Sequence, residues 1–528
     1  MLGSSTHLSI ALTFSALLAS TAIAPAETTA TPASIKVAQA APTPKPTPNP
    51  FVVNGYVRAY DFTRQNASNS AKTRYAPPPA SYNYNGVNQQ SFAAGVSVHA
   101  AYTLSGFTLG GTYLYSDPFT GCNLFTQQEK GAPCIEQVPP NTNPDDTLPG
   151  YQLSTLYEAY LQYQGNGLYA KVGNQVINTP WAPNSDSRLK PSAFQGADAS
   201  YTWEHWTVQA SDMTQFQSRT TSYFTRTTLV TSYPPTGNSG LGGNYGPPSN
   251  FYYPNGINTN GFLFGRIGYA DKHFTGDIDY YDISDLSDIL WIDGKYSWAG
   301  YVKPFVAVQI GDENNTGASY IGKIDSQVLG LQAGLNVMPA VQFVVGFDNI
   351  PYKSDTIVLP AGDSCNASTH LLKIKSGTSF PYWLPNNAPQ CIAAGAGMTT
   401  VYYGGWASPY SDSYATDPFF TTELTQGAAD RHIGGNSLKE AIIFTSANHQ
   451  FVGQISHAQY NAGNTIGNEQ SAENNVDAMY YWSHYTPGTR YRGLLLRYRY
   501  GERYFYETAI YGGLPLFKYN RAQIEYDF

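Results

Sequence analysis

Four arginines lie at positions where their side chains could bind carboxylates. Each alternates with apolar neighbours at a period of two, and the set is Arg58, Arg497, Arg499 and Arg521. In a β-strand this spacing puts the arginines on the face opposite the apolar residues. A guanidinium can bind one carboxylate through two parallel hydrogen bonds. We therefore expect these arginines to form a ladder for carboxylate-bearing solutes along one wall of a pore.

Acidic residues alternate in the same way in other segments, and they are Glu158, Asp277, Asp279 and Asp293. If the apolar residues face lipid, these carboxylates face the interior, across from the arginines. Opposed charges across a pore produce a transverse field that orients dipolar or anionic solutes. The alternative stays open that all of these are solvated side chains of a water-filled interior.

Catalytic and metal-binding patterns are weak in this sequence. The nine histidines are scattered without a HExxH motif, and no GxSxG nucleophile elbow or CxxC zinc spacing occurs. A barrel hydrolase with a site at the rim would need a histidine near a Ser or Asp, and only His432, His449 and His457 suit that reading. We expect no enzyme activity, no cofactor and no metal.

The elements that would position these charges are β-strands, and the last thirteen residues, LFKYNRAQIEYDF, show it best. Apolar residues from Ala522 to Phe528 alternate with charged or polar residues from Arg521 to Asp527. Such a strand at the chain end would leave an unpaired edge unless it paired with another strand, for which the first strand is the natural partner. A closed barrel with an apolar outside satisfies every backbone group within a bilayer.

The whole chain predicts an all-β, closed antiparallel transmembrane barrel of about eighteen strands, although a count of sixteen stays open. Connections alternate between short turns and long loops, which is typical of outer-membrane barrels with short periplasmic turns and long extracellular loops. Pro304 falls inside one predicted strand and indicates a bulge or a misplaced boundary there. The predicted strands lie near 51–62, 91–104, 106–116, 154–164, 167–176, 193–201, 204–212, 261–271, 273–282, 288–298, 300–310, 326–337, 339–348, 439–446, 449–460, 476–485, 490–500 and 516–528.

Composition supports a membrane barrel over a soluble domain. Only 12% of the residues are charged, about half the usual share, and the chain carries 43 Tyr, 49 Gly and 35 Pro. Tyrosines in such number suit the aromatic girdles of a lipid-facing surface. The net charge of −8 argues against nucleic acid as a partner.

The N-terminal region indicates export. Residues 8–24 form a short apolar run that ends in small residues, so 1–26 are expected to be a signal peptide, with cleavage as late as residue 40 also open. Residues 27–50 are expected to form a Pro-rich linker, and 51–528 the barrel. Two local cysteine pairs, Cys122 with Cys134 and Cys365 with Cys391, indicate disulfides formed in an oxidising compartment.

A barrel of this width encloses water, so something must narrow it. The best candidate is the connection 177–192, which contains three prolines and, as expected constriction residues, Trp181, Asp186, Ser187, Arg188 and Lys190. The segment NSDSRL with Pro191 and FQG, the preceding YAKVG and the closing LLLRYRY together resemble the OprD-like substrate-specific porins of Gram-negative outer membranes. A departure from that family is the long cysteine-containing loop at 349–438, which we expect to be extracellular.

The resemblance implies that loop 177–192 folds into the lumen, that a basic ladder lines the pore, and that small carboxylate-bearing solutes such as amino acids pass. Asp186 and Arg188 could instead form a local ion pair that holds the loop to the wall. A non-selective or sugar-type porin, or an adhesin displaying 349–438, are the alternatives. Expected partners are outer-membrane lipid and lipopolysaccharide, small solutes, and the barrel-assembly machinery through Phe528, with the protein a monomer or a loose homotrimer.

Overall fold

The computed structural model describes most of the predicted barrel. The residues described are 50–67, 89–118, 124–125, 152–186, 188–219, 221–231, 256–318, 323–351, 353–359, 361–362, 364–365, 372–373, 391–395, 398–411, 416–424, 435–462, 469–482, 493–507 and 516–528. The expected signal peptide, nearly all of the linker, Cys122, Cys134, Ser187 and His432 lie outside these ranges.

One sheet contains the eighteen strands of the barrel. Its nineteenth strand, Leu124–Phe125, only extends the pairing of one of them. The barrel strands are β1 Phe51–Ala67, β2 Gln89–Leu104, β3 Phe107–Pro118, β4 Leu153–Gly165, β5 Leu168–Gln175, β6 Ala193–Trp203, β7 Trp206–Gln217, β8 Phe262–Ala270, β9 Phe274–Ile283, β10 Ser287–Ser297, β11 Phe305–Asn315, β12 Asp325–Met338, β13 Val341–Ile350, β14 Gly435–Thr445, β15 Phe451–Ala462, β16 Glu469–Trp482, β17 Gly493–Glu507 and β18 Leu516–Asp527.

The first and last strands close the barrel, as the C-terminal pattern predicts. β1 pairs antiparallel with β18 from Tyr56 opposite Asp527 to Ala67 opposite Leu516. Beyond the strand, Phe528 and Gly55 exchange two backbone hydrogen bonds, with N···O distances of 3.0 and 3.2 Å. Closure pairs the edges that an open sheet would expose. The predicted fold class is therefore confirmed with eighteen strands rather than sixteen.

The start of β11 differs from the sequence prediction, and the reason is the proline that precedes the strand. The predicted strand 300–310 begins five residues later, at Phe305. Pro304 precedes it, and its carbonyl accepts a hydrogen bond from Trp298 N at 2.9 Å across a turn. Proline has no N–H to donate to a ladder, so the strand begins after it and no bulge is needed.

The outer face of the barrel is an apolar band bordered by aromatic rings. Between the rims, exposed aliphatic side chains such as Leu161, Ile267 and Leu331 face outward. Rings gather at the rim of the short turns, where Trp206 packs edge-on against Tyr269 with a centroid separation of 4.9 Å. Such girdles are typical of the two interfaces of a bilayer.

Three further small sheets lie in the connections. The largest is built from Lys353–Val358, Met398–Tyr403 and Cys391–Gly395. Two ion pairs, Lys323 with Asp355 and Lys353 with Asp325, join it to the long-loop end of β12. Cys365 is disulfide-bonded, and its short strand Ser364–Cys365 contacts Cys391–Gly395. The part of the chain described here has no helix long and apolar enough to cross a membrane.

Candidate functional site

Residues 177–192, the constriction loop, fold into the barrel. Trp181 and Lys190 are fully buried, and Arg188 is nearly so. Trp181 N donates to the hydroxyl of Tyr281 on β9 at 3.3 Å, and Lys190 Nζ donates to Ser218 O at 2.6 Å. Tyr281 lies on β9 and Ser218 directly follows β7, so these contacts hold the loop across the interior. A charged lysine tolerates such burial because backbone carbonyls accept hydrogen bonds from its ammonium group.

Arg58 on β1 anchors the constriction loop to the wall. Its Nη1 lies 2.5 Å from Asp186 Oδ1 and donates to Arg188 O at 2.8 Å, while Nη2 lies 3.1 Å from Asp186 Oδ2. On its other side Nε donates to Glu525 of β18. The partner of Asp186 is therefore a wall arginine. The guanidinium of Arg188 lies 4.9 Å from the ring of Phe62.

A second part of the chain also enters the barrel. Residues 404–411 and 416–424, which we call the second inward segment, belong to the region that the sequence analysis assigned to the extracellular loop. Gln309 Nε2 donates to Pro418 O at 2.7 Å, Ala407 N to Glu313 Oε2 at 2.7 Å, and Thr421 N to Asp348 Oδ2 at 2.7 Å. These contacts hold the segment against the inner face of β11 and β13.

The two inward segments meet in a buried aromatic cluster. Trp181 of the loop stacks on Trp406 of the segment with a centroid separation of 4.8 Å. Trp291 of β10 and Phe419 meet Trp181 edge-on, each with a centroid separation of 5.2 Å. All four side chains are almost completely buried. The cluster therefore joins both inward segments to Trp291 on the inner face of β10.

The four predicted arginines all lie on the inner face, on the neighbouring strands β1, β17 and β18, and we call this surface the arginine wall. Arg497 and Arg499 share Asp477 of β16: Arg497 Nη2 lies 3.0 Å and Arg499 Nε 2.6 Å from Asp477 Oδ2. Arg521 lies opposite Arg499 across the strand pair, and its guanidinium carbon is 5.2 Å from the centre of the Tyr60 ring. The wall therefore carries carboxylates beside its arginines.

The predicted acidic residues lie on the inner face too, and most have basic neighbours that the sequence analysis missed. Arg266 Nε lies 2.6 Å from Asp279 and 3.8 Å from Asp277. Asp293 is directly opposite Asp277 across β9 and β10. Glu158 lies 3.2 Å from Lys171 Nζ and accepts a hydrogen bond from Thr112 at 2.5 Å. In the described ranges no group of three or more His, Cys, Asp or Glu side chains could hold a metal ion.

The residues that the sequence analysis missed are mostly ion-pair partners of the predicted residues. Asp477, Glu525 and Arg266 alternate with apolar neighbours just as the predicted residues do, so the same phase rule places them inward. Their pairing depends on strand register, such as Asp477 opposite Arg499 and Arg58 opposite Glu525. The second inward segment has no period that signals its position.

Comparison with known proteins gives similarity at the level of structure. No protein-family model matches the chain, and no curated protein does. The structure of a BenF-like porin from Pseudomonas fluorescens Pf-5 is similar over 90% of this chain and 98% of that one, with a TM-score of 0.60 and 11% identity. OccK9 (OpdG) of Pseudomonas aeruginosa matches over 90% and 98%, with a TM-score of 0.59 and 12% identity. OccAB3 of Acinetobacter baumannii matches over 90% and 99%, with a TM-score of 0.59 and 10% identity. The resemblance predicted from the loop motif is thus confirmed for the architecture, and the chain has the fold of the OprD/Occ porins.

Proposed function

We propose that this protein is a porin of the bacterial outer membrane, a channel for the passive uptake of small hydrophilic solutes. The observation that carries the proposal is a closed barrel with an apolar outside and a charged inner face, into which two segments of the chain fold. The similar structures are porins, and we propose no enzyme activity for this chain. The expected surroundings are outer-membrane lipid and lipopolysaccharide.

Small carboxylate-bearing solutes, such as amino acids, are the substrate class that we propose. Arg497, Arg499 and Arg521 lie on the inner face of the barrel, at a spacing of two residues along a strand or directly across a strand pair. A carboxylate could pass between such sites without any single site holding it tightly. The opposing inner wall carries Asp277, Asp279 and Asp293, which would orient the cationic end of a dipolar solute.

A weakly selective diffusion porin is the second candidate, and the ion pairs favour it. The four arginines of the wall are accompanied by three inward carboxylates of the strands, Glu473, Asp477 and Glu525. Three negative charges offset most of the four positive ones, so the wall has little net charge. A channel of that kind would discriminate by size more than by charge.

Liposome swelling separates these two candidates. Proteoliposomes are mixed with isosmotic neutral sugars, amino acids and dicarboxylates of similar size. A carboxylate-selective channel passes the acids faster than sugars of equal size, whereas a diffusion porin ranks all of them by size. Absence of swelling with every solute would contradict the channel proposal and favour the adhesin alternative. Assembly through Phe528 and a monomeric or loosely trimeric state are further proposals, tested by deleting Phe528 and by native mass spectrometry.

A further inference from the structure

The second inward segment has a basic contact of its own on the barrel wall. Lys439 on β14 lies with Nζ 3.3 Å from Glu423 Oε1 and donates to Thr422 O at 2.9 Å. The arrangement parallels the anchor of the constriction loop, where Arg58 of the wall contacts both a carboxylate and a backbone carbonyl of the loop. Each inward segment thus has one basic wall residue that contacts it at two points.

The two anchors differ in how well the carboxylate is compensated. Asp186 accepts two hydrogen bonds from Arg58, at 2.5 and 3.1 Å, and its side chain is 38% exposed. Glu423 is completely buried, and 3.3 Å exceeds the usual length of a charge-assisted hydrogen bond. A buried ion pair with imperfect geometry does not recover the cost of removing both charges from water.

The surroundings of Glu423 also favour a proton. The charged and polar groups facing it are Lys439 of β14, Ser456 of β15 and Asp477 of β16, and the last of these has the same sign of charge. Nearby buried polar atoms, including Thr422 Oγ1 and the side-chain amide of Asn475 opposite Ser456, have no hydrogen-bond partner among the described residues. A protonated Glu423 would bring a donor to this group of atoms in place of a poorly compensated charge.

We propose that Glu423 is a positioning residue of the channel, whose protonation tightens the docking of the second inward segment and so steadies the narrow part of the pore. This inference rests on the proposed channel function. Burial raises the pKa of Glu423, while the charge of Lys439 and hydrogen bonding by Ser456 and Lys439 oppose the shift. Glu423 therefore binds a proton more tightly when the segment is docked than when it is undocked and in water. Low pH favours docking for this reason, and docking weakens as the pH rises through the pKa of Glu423 in the docked state.

Single-channel recording between pH 5 and pH 8 tests the inference. The wild type should show fewer brief openings to higher conductance at low pH than at high pH. Glu423→Gln, which keeps the shape of the side chain and removes its charge, should show few brief openings at every pH. Glu440→Gln is the matched control, because Glu440 is on the same strand as Lys439 but faces outward, and it should keep the pH dependence of the wild type.

A second measurement is independent of conduction. Ser408, which is 3% exposed in the second inward segment, is replaced by Cys, and its maleimide labelling rate is compared with and without Glu423→Gln at each pH. Slower labelling of the Gln variant at high pH supports the inference. Faster labelling at all pH values would show that the charge pair holds the segment, and equal rates would show that Glu423 has no positioning role; either result overturns it. If the wild type fails to conduct while labelling behaves as expected, the channel proposal fails and the positioning role stands.

Discussion

Replacing Arg58 with Gln should release the constriction loop while the barrel stays closed. Arg58 contributes three contacts to the loop, at 2.5, 2.8 and 3.1 Å. Hydrogen bonds to charged groups contribute about 1.5–3 kcal/mol each. The share of Asp186 must be discounted, because its side chain is 38% exposed and water screens it. A net loss of about 2 kcal/mol is a reasonable estimate, which corresponds to a shift of roughly 30-fold towards the undocked loop.

The assay is single-channel recording at low salt, where the undocked loop should appear as frequent excursions to higher conductance. Arg266→Gln is a matched control, since it removes an inward arginine of β8 that is paired with Asp279 of β9 at 2.6 Å rather than with the loop. The folded fraction of both variants is checked by the heat-dependent shift on gel electrophoresis. If Arg58→Gln and Arg266→Gln give records indistinguishable from the wild type, Arg58 does not anchor the loop and the reasoning fails.

Three further changes have defined outcomes. Trp406→Ala should lower the unfolding temperature in detergent and raise conductance, because truncating a buried tryptophan costs about 3–5 kcal/mol, whereas Trp298→Ala at the exposed rim should do neither. Gln substitution of Arg497, Arg499 and Arg521 together should shift selectivity towards cations and lower carboxylate flux, whereas Asp477→Asn should shift selectivity towards anions. Both shifts should shrink in 1 M salt. Unchanged reversal potentials at low salt would show that these charges do not determine the ion selectivity of the channel. Mass mapping of non-reduced peptides should find Cys122 joined to Cys134 and Cys365 to Cys391, and reduction should leave the barrel folded; free thiols at these positions would exclude the disulfides.

The barrel was predictable because its signal is local. Alternation at a period of two identifies a strand and its lipid-facing side together, and even the weakly patterned strands β6 and β14 lie where alternation puts them. Proline chemistry explains the misplaced start of β11. The inward direction of Arg497 and Arg499 follows from the same alternation, since burial alternates with Leu496 and Tyr498 along β17.

The pairing inside the lumen was not predictable, because it depends on register and on tertiary contacts. One residue of register decides whether Asp477 meets Arg499 or an apolar neighbour. The second inward segment is held largely through backbone atoms, such as Pro418 O, Ala407 N and Gly405 O, which have no residue signature. A long loop with Gly, Pro and aromatic residues is equally compatible with a position outside the barrel.

Conductance of the wild type compared with a variant that lacks residues 181–190 tests the central claim most directly. The deletion removes Trp181 from the aromatic cluster and Asp186 from its anchor on Arg58. If the barrel is a channel narrowed by the constriction loop, purified protein in planar bilayers should conduct, and the deletion should conduct markedly more with the barrel still folded. Equal conductance in the two proteins would contradict the role of the loop, and absence of conductance in both would contradict the channel itself.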